Sequence, residues 1–160
     1  MSAPTIRTIV DDRLRWFLGT LNRVVATAED TGGTFGLMEQ WAAHGFSPPL
    51  HVHHREDSAL YLIEGAMTLR LGDDETTLAA GDFAYLPRDI PHTFRVDSDH
   101  AWFLEMVTPG GFEQFHLDAS DPAPSATLPP PGPPEISKVT SVIASYDAEL
   151  IGPPLTAIDG

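Results

Sequence analysis

Residues 45–65 read GFSPPLHVHHREDSALYLIEG, a stretch in which three histidines are followed by a run of mostly apolar residues. His51 and His53 are two positions apart. On a β-strand such residues point to the same face with Cα atoms about 6.5 Å apart. The pair could therefore bind one metal ion. His54 would point to the opposite face, and we interpret it as a surface or loop residue.

A second stretch supplies a further histidine. Residues 81–92 read GDFAYLPRDIPH, which predicts a strand, a turn bounded by prolines and then His92. The chain has no cysteine, so only nitrogen and oxygen side chains are available as strong metal ligands. This further histidine strengthens the signal given by the His51 and His53 pair.

The surrounding sequence is a series of short runs rich in β-branched, aromatic and leucine residues, each ended by a turn-forming residue. Gly65 and Gly72 each separate two such runs, as glycines do in tight turns. No long stretch here repeats apolar residues at helical spacing, so we predict an all-β barrel or sandwich. The predicted strands are 14–26 (interrupted near Gly19), 34–42, 50–54, 59–64, 66–72, 76–80, 83–87, 92–96 and 101–107.

The composition changes after Val107. Residues 109–120 could carry a short helix, and residues 121–134 hold seven of the fifteen prolines, which predicts an extended connector. Apolar residues at helical spacing predict a C-terminal helix over about 135–146. We therefore expect a barrel with N-terminal strands over 1–118, a proline-rich connector over 119–134, and a helix and tail over 135–160 that pack on the barrel or on a neighbouring subunit.

The charge and the chain ends restrict the partners. Nine lysines and arginines stand against 23 acidic residues, a formal net charge of −14. Such a chain repels nucleic acid and anionic membranes, so we expect neither as a partner. The N-terminus has no apolar run of signal-peptide length and no segment is long enough to span a bilayer, which leads us to expect a cytoplasmic protein.

The two histidine stretches together resemble the two sequence blocks of the cupin superfamily. In the first block the family has glycine, His-x-His, glutamate and glycine, and the same spacing here runs through Gly45, His51, His53, Ser58 and Gly65. The second block is matched by Gly81, Pro87 and His92, whereas Asp89 and Val96 replace its usual glycine and asparagine. The resemblance implies a cupin fold, the double-stranded β-helix or jelly-roll barrel, here with a short C-terminal helix.

Flanking segments are similar to single-domain cupins described as quercetin 2,3-dioxygenase-like. That resemblance implies a divalent metal held by three histidines and a glutamate that also acts as a base. Ser58 stands where this glutamate is expected, and a serine hydroxyl is both a weak ligand and a weak base. Three arrangements stay open: a centre of His51, His53 and His92 alone, a centre in which Glu56 replaces the missing carboxylate, or a metal-free barrel with neutral histidines.

Aromatic and apolar residues on the predicted strands would form an apolar pocket suited to a flat aromatic or polyketide-like molecule. The candidate pocket residues are Phe35, Met38, Trp41, Tyr61, Tyr85, Phe94 and Phe103, and further candidates for the barrel interior are Leu37, Phe83 and Met106. Periodicity alone does not say which face of a strand is inside.

The leading functional hypothesis is a metal-dependent dioxygenase acting on a small, largely apolar, oxygenated molecule, with Fe, Ni, Mn, Co or Zn as the metal and Glu56 or Ser58 as candidate catalytic residues. One alternative is a non-oxidative cyclase, isomerase or dehydratase of specialised metabolism. Another is a barrel that binds a small molecule without turnover. Because open sheets need their edges covered, we also expect a homodimer.

Overall fold

The computed structural model describes residues 3–6, 8 and 13–156 and confirms an all-β fold with few helices. Each predicted run contains a strand, and the predicted C-terminal helix is also present, over a shorter range. The strands are β1 Leu14–Phe17, β2 Thr20–Ala26, β3 Gly36–Ala43, β4 Leu50–His53, β5 Asp57–Glu64, β6 Ala66–Leu71, β7 Asp74–Ala79, β8 Phe83–Leu86, β9 His92–Val96, β10 His100–Thr108, β11 Asp121–Pro122 and β12 Ala148–Gly152. The helices are α1 Phe112–Asp118 and α2 Ile136–Val142, and α2 continues into a 3-10 turn, Ile143–Tyr146.

The strands form two antiparallel sheets. One sheet has the order β11-β1-β2-β3-β10-β5-β8, and the other has the order β12-β4-β9-β6-β7. Two hydrophobic clusters lie inside. The first joins residues of both sheets around Leu62, Met67 and Phe103. The second joins strand residues to α1, α2 and the 3-10 turn through Phe112, Val139 and other side chains.

Alternation along the strands decides which side chains face inward. On β5, Ser58, Leu60 and Leu62 are buried, whereas Tyr61 between them is 45% exposed. On β8, Ala84 and Leu86 are buried, and the two aromatic residues of that strand point outward.

Four residues proposed for the barrel interior therefore lie on its outer surface, because they belong to the opposite parity of their strands. These residues, with their exposed fractions, are Tyr61 (45%), Phe83 (63%), Tyr85 (53%) and Met106 (38%). For the candidate pocket this corrects the placement of Tyr61 and Tyr85.

The C-terminal segment closes one part of the barrel. Residues 123–135 form neither helix nor strand, and the indole nitrogen of Trp16 donates a 2.7 Å hydrogen bond to the carbonyl of Thr127 in this segment. Val139 of α2 and Ile143 of the 3-10 turn are buried against the chain's own barrel. Strand β12 then pairs with β4, beside the histidines. Within the part of the chain that the structure describes, no helix combines the length and hydropathy needed to cross a bilayer.

Candidate metal centre and cavity

His51, His53 and His92 converge at the centre of the five-stranded sheet. His51 and His53 lie on β4, and His92 opens the neighbouring strand β9 directly opposite His51. One ligand nitrogen from each ring lies within 4.8 Å of the other two. The His51 and His92 ring centroids are 4.5 Å apart, and His53 is 5.3 Å from each. The three nitrogens are close enough to one another that they could hold one metal ion.

Backbone carbonyls define the protonation of two of these rings. His51 Nδ1 is 2.7 Å from the carbonyl oxygen of Pro49, and His92 Nδ1 is 3.1 Å from that of Ile90. A carbonyl oxygen only accepts hydrogen bonds, so each Nδ1 must carry the hydrogen. In the neutral ring the Nε2 lone pair is then free to bind a metal, a carbonyl-held arrangement that is common for metal-ligating histidines.

Burial keeps the three histidines neutral near physiological pH. Desolvation lowers the pKa of His51, and it lowers the pKa of His92 to about 3. Desolvation, together with the neighbouring histidines, lowers the pKa of His53 to about 2. Metal binding needs the neutral imidazole, so no proton has to be displaced at pH 7.

The residues present fit a divalent metal ion. His53 is 2% exposed, its ring lies 4.1 Å from that of Phe112, and its buried Nδ1 has no hydrogen-bond partner among the described residues. A buried polar atom without a hydrogen-bond partner lowers the stability of the folded protein by about 1–3 kcal/mol. Neutral imidazoles suit Zn, Cu, Fe and Ni, and three ligands leave coordination positions for water or substrate.

His54 lies at the surface, as interpreted from the strand alternation. Its ring nitrogens are 2.7 Å from Asp89 Oδ1 and 2.6 Å from Glu149 Oε2. These hydrogen bonds raise the pKa of His54 to about 9, the opposite of the shift at its buried neighbours. His54 therefore links β4 to β12 and does not join the metal-binding group.

Glu56 and Ser58 are both buried, at 2% exposure each, and neither lines the cavity described below. Glu56 accepts a 2.6 Å hydrogen bond from Arg55, and burial raises its pKa. The Ser58 hydroxyl has no partner among the described residues. In the described ranges, the group of potential metal ligands consists of the three histidines and includes no carboxylate.

An apolar cavity adjoins His51 between the two sheets. Its volume is about 60 Å³, counted as space for the centres of water-sized molecules, within about 510 Å³ of empty space that includes open solvent. The lining comprises Phe17, Leu18, Gln40, Phe46, Pro48, Pro49, His51, Phe94, Glu105, Phe112, Phe115, His116, Val139, Ile143 and Leu150. Helix α1 and the C-terminal segment thus contribute as much of the wall as the barrel strands do.

Only Phe94 of the proposed pocket residues lines this cavity. Met38 and Phe103 point inward but are fully buried in the two clusters, and Phe35 is half-buried outside the lining. Trp41 stacks on Trp102 with ring centroids 6.0 Å apart, on the other face of β3.

Sequence reasoning missed three polar residues of the cavity, namely Gln40, Glu105 and His116. Glu105 could have been found, because it follows Ala101 and Phe103 at intervals of two on the inward face of β10. His116 is buried on α1, its Nδ1 has no hydrogen-bond partner among the residues that the structure describes, and burial lowers its pKa to about 3. Its place in the cavity depends on long-range packing.

Comparison with known proteins agrees with the fold. A family described as Cupin domain matches residues 37–108. The chain is 28% identical over 134 residues to quercetin 2,3-dioxygenase of Bacillus subtilis, covering 83% of this chain and 40% of that protein. It is 29% identical over 156 residues to quercetin 2,3-dioxygenase of Aspergillus japonicus, covering 85% of this chain and 44% of that protein. The chain thus spans less than half the length of these two relatives.

Solved structures show the same architecture. An RmlC-like cupin from Shewanella frigidimarina superposes with a TM-score of 0.58 at 15% identity, covering 67% of this chain and 93% of that one. A variant of oxalate decarboxylase from Bacillus subtilis superposes with a TM-score of 0.58 at 22% identity, covering 66% of this chain and 29% of that one. At these identities the likeness concerns the fold.

Proposed function

Because this chain belongs to the cupin superfamily, we propose that it is a metal-dependent enzyme that acts on a small, largely apolar, oxygenated molecule and that its reaction is a dioxygenation. The substrate class is flavonol-, aromatic- or polyketide-like. The observation that carries the proposal is a cluster of three neutral histidine nitrogens, one member of which, His51, lines a cavity walled by aromatic rings.

The cavity walls support this substrate class. Five phenylalanines line the cavity, and no lysine or arginine of the described part of the chain lines it. Phosphorylated substrates need converging cations, so this cavity disfavours them. A flat, neutral ring system would instead exchange water contacts for contacts with aromatic side chains.

A divalent ion held by His51, His53 and His92 would supply Lewis-acid and redox chemistry. The ligand type does not separate Fe, Ni, Mn, Co and Zn. The chain's own contribution is to keep the three imidazoles neutral, to fix two of them by carbonyl hydrogen bonds, and to exclude water with the rings of α1.

An oxygen electrode tests the proposal. Protein loaded separately with each candidate metal is mixed with quercetin and with simple catechols, and oxygen uptake is measured with substrate loss. We expect oxygen and substrate to disappear together, and we expect the activity to be lost in His92→Ala but kept in His54→Ala. No oxygen uptake with any metal and substrate would refute dioxygenation.

A second candidate is non-oxidative cyclisation, isomerisation or dehydration. It is favoured by the absence of a carboxylate from the described metal-binding group and by two titratable side chains, Glu105 and His116, on the cavity wall. Turnover that continues without oxygen would identify it. Thermal stabilisation by a ligand without any product would instead indicate a binding barrel.

Ser58 and Glu56 remain proposed catalytic residues. Substitution of each tests whether its side chain also contributes to metal binding or to stability. We expect Ser58→Ala to keep its metal and its stability, because the Ser58 hydroxyl has no partner whose loss would be costly. Metal content and urea denaturation are the measurements, with Glu56→Gln assayed in parallel. Loss of metal from Ser58→Ala would make the hydroxyl a ligand.

We also propose a homodimer. The outer face of β5, β8 and β10 exposes Tyr61, Phe83, Tyr85 and Met106, and β8 is the last strand of its sheet. An exposed aromatic face beside a sheet edge favours pairing with a second copy. We expect light scattering to give a dimer mass for the wild type and a monomer mass for Phe83→Glu/Tyr85→Lys. A wild-type monomer would contradict the proposal.

A further inference from the structure

Glu105 lies on the sheet that faces the histidines. It belongs to β10 of the seven-stranded sheet, whereas His51 belongs to β4 of the five-stranded sheet, and both side chains line the same cavity. A molecule in this cavity would therefore have a metal-binding histidine on one wall and a carboxyl group on another. Glu56 and Ser58 do not line the cavity.

One oxygen of Glu105 is anchored. The side-chain amide of Gln40, on the adjacent strand β3, donates a 2.7 Å hydrogen bond to Glu105 Oε2. Gln40 is 3% exposed, which fixes the donor in place. No described residue donates a hydrogen bond to the other oxygen, Oε1, and no described cation pairs with the carboxyl group. Oε1 is therefore available to a ligand.

The surroundings of Glu105 are poor in charge. Its register neighbours, Met38 on β3 and Leu60 on β5, are apolar. The other titratable groups on the cavity wall are His51 and His116, and burial lowers the pKa of both, so they are neutral at pH 7. Glu105 keeps some accessible surface because it borders the cavity, but the surrounding protein still desolvates it and raises its pKa to about 7.

We propose that Glu105, held by Gln40, accepts the proton of an acidic O–H group of the substrate, a phenol or an enol, as that molecule enters the cavity. The substrate O–H bond breaks, the Glu105 O–H bond forms, and the substrate becomes an anion in the cavity that His51 lines, with no oxidant consumed. The inference rests on the proposed function in that it places the substrate in the same cavity. It assigns to Glu105 the role of base that Ser58 is chemically unable to fill.

The chemistry restricts the substrate. A carboxylate accepts a proton efficiently from a group of comparable acidity, and phenols and enols come closer to this condition than aliphatic alcohols do. The carboxylate form of Glu105 increases as pH rises through about 7, so formation of the bound anion should increase over the same range. The Gln40 hydrogen bond lowers the pKa of Glu105, so removal of this bond should shift the midpoint to higher pH.

The test uses 3-nitrophenol, a phenol whose visible absorbance reports its ionisation, whose own pKa lies above that of Glu105, and which lacks the second hydroxyl with which a catechol chelates zinc. Zinc-loaded protein is titrated with the probe in the absence of oxygen, and the titration is repeated across a pH series. Four proteins are compared: the wild type, Glu105→Gln, Gln40→Leu and Glu75→Gln, a control at an exposed position. We expect the bound-anion band to be lost in Glu105→Gln, to appear at higher pH in Gln40→Leu, and to be unchanged in Glu75→Gln. Metal content and melting temperature of each variant verify that the site and the fold are intact.

Ionisation of the probe by Glu105→Gln at the wild-type midpoint would overturn the inference, and so would failure of the wild type to bind the probe. Zinc is redox-inert and oxygen is absent, so these results do not depend on dioxygenation. Wild-type ionisation without oxygen uptake on any phenol would refute only the proposed reaction. Undiminished oxygen uptake by Glu105→Gln would refute only the role of Glu105.

Discussion

His53→Ala is expected to remove nearly all bound divalent metal from the protein. His53 supplies one of three clustered nitrogens, and its ring is held between its histidine neighbours and Phe112. Even the loss of a residue that only hydrogen-bonds to a metal ligand lowers the affinity for the metal about 10- to 100-fold. Loss of a ligand itself should lower affinity further. Elemental analysis after dialysis measures the effect.

His54→Ala is the matched control, since it makes the same chemical change at the next position of the chain. The His54 ring contacts Asp89 and Glu149 at the surface, away from the three clustered nitrogens. We expect this variant to keep near-stoichiometric metal. Equal metal loss from both variants would mean that the substitutions act through the fold.

Phe103→Ala is expected to lower the free energy of unfolding by about 3–5 kcal/mol, the usual cost of truncating a buried phenylalanine. Phe103 is fully buried in the cluster between the sheets, and its ring lies 5.3 Å from that of Phe94, which lines the cavity. Its loss would leave a void that the surrounding strands cannot fill. Urea denaturation gives the free energy directly.

Ile151→Ala serves as the control for that measurement. Ile151 also lies on a strand, but it is 47% exposed and lies outside the proposed dimer face. Surface substitutions usually change stability by less than about 0.5 kcal/mol. If Ile151→Ala were as destabilising as Phe103→Ala, the assignment of inner and outer faces would be wrong.

The candidate ligand set could be predicted from the sequence through one local rule and one resemblance. Spacing of two on a strand brings His51 and His53 to one face, and the resemblance to the second cupin block adds His92, which the structure places on the strand paired with theirs. Glycine and proline signals located the turns between the strands. Each of these features depends on a few neighbouring residues.

The cavity was harder to predict because it depends on contacts between distant segments. Alternation separated the two faces of β5 and β8 but did not say that Tyr61 and Tyr85 face outward. The cavity walls contributed by α1 and β12 come from residues that follow the barrel in the chain. No short-range pattern announces that Leu150 or His116 borders the same space as Phe94.

X-ray absorption spectroscopy of the zinc-loaded protein tests the metal centre most directly. The account predicts an inner shell with three imidazole nitrogens at about 2.0–2.1 Å, completed by solvent oxygen. The loss of one imidazole in His92→Ala should be visible in the same spectrum. A shell with fewer than three imidazoles in the wild type, or no zinc taken up, would contradict the three-histidine centre.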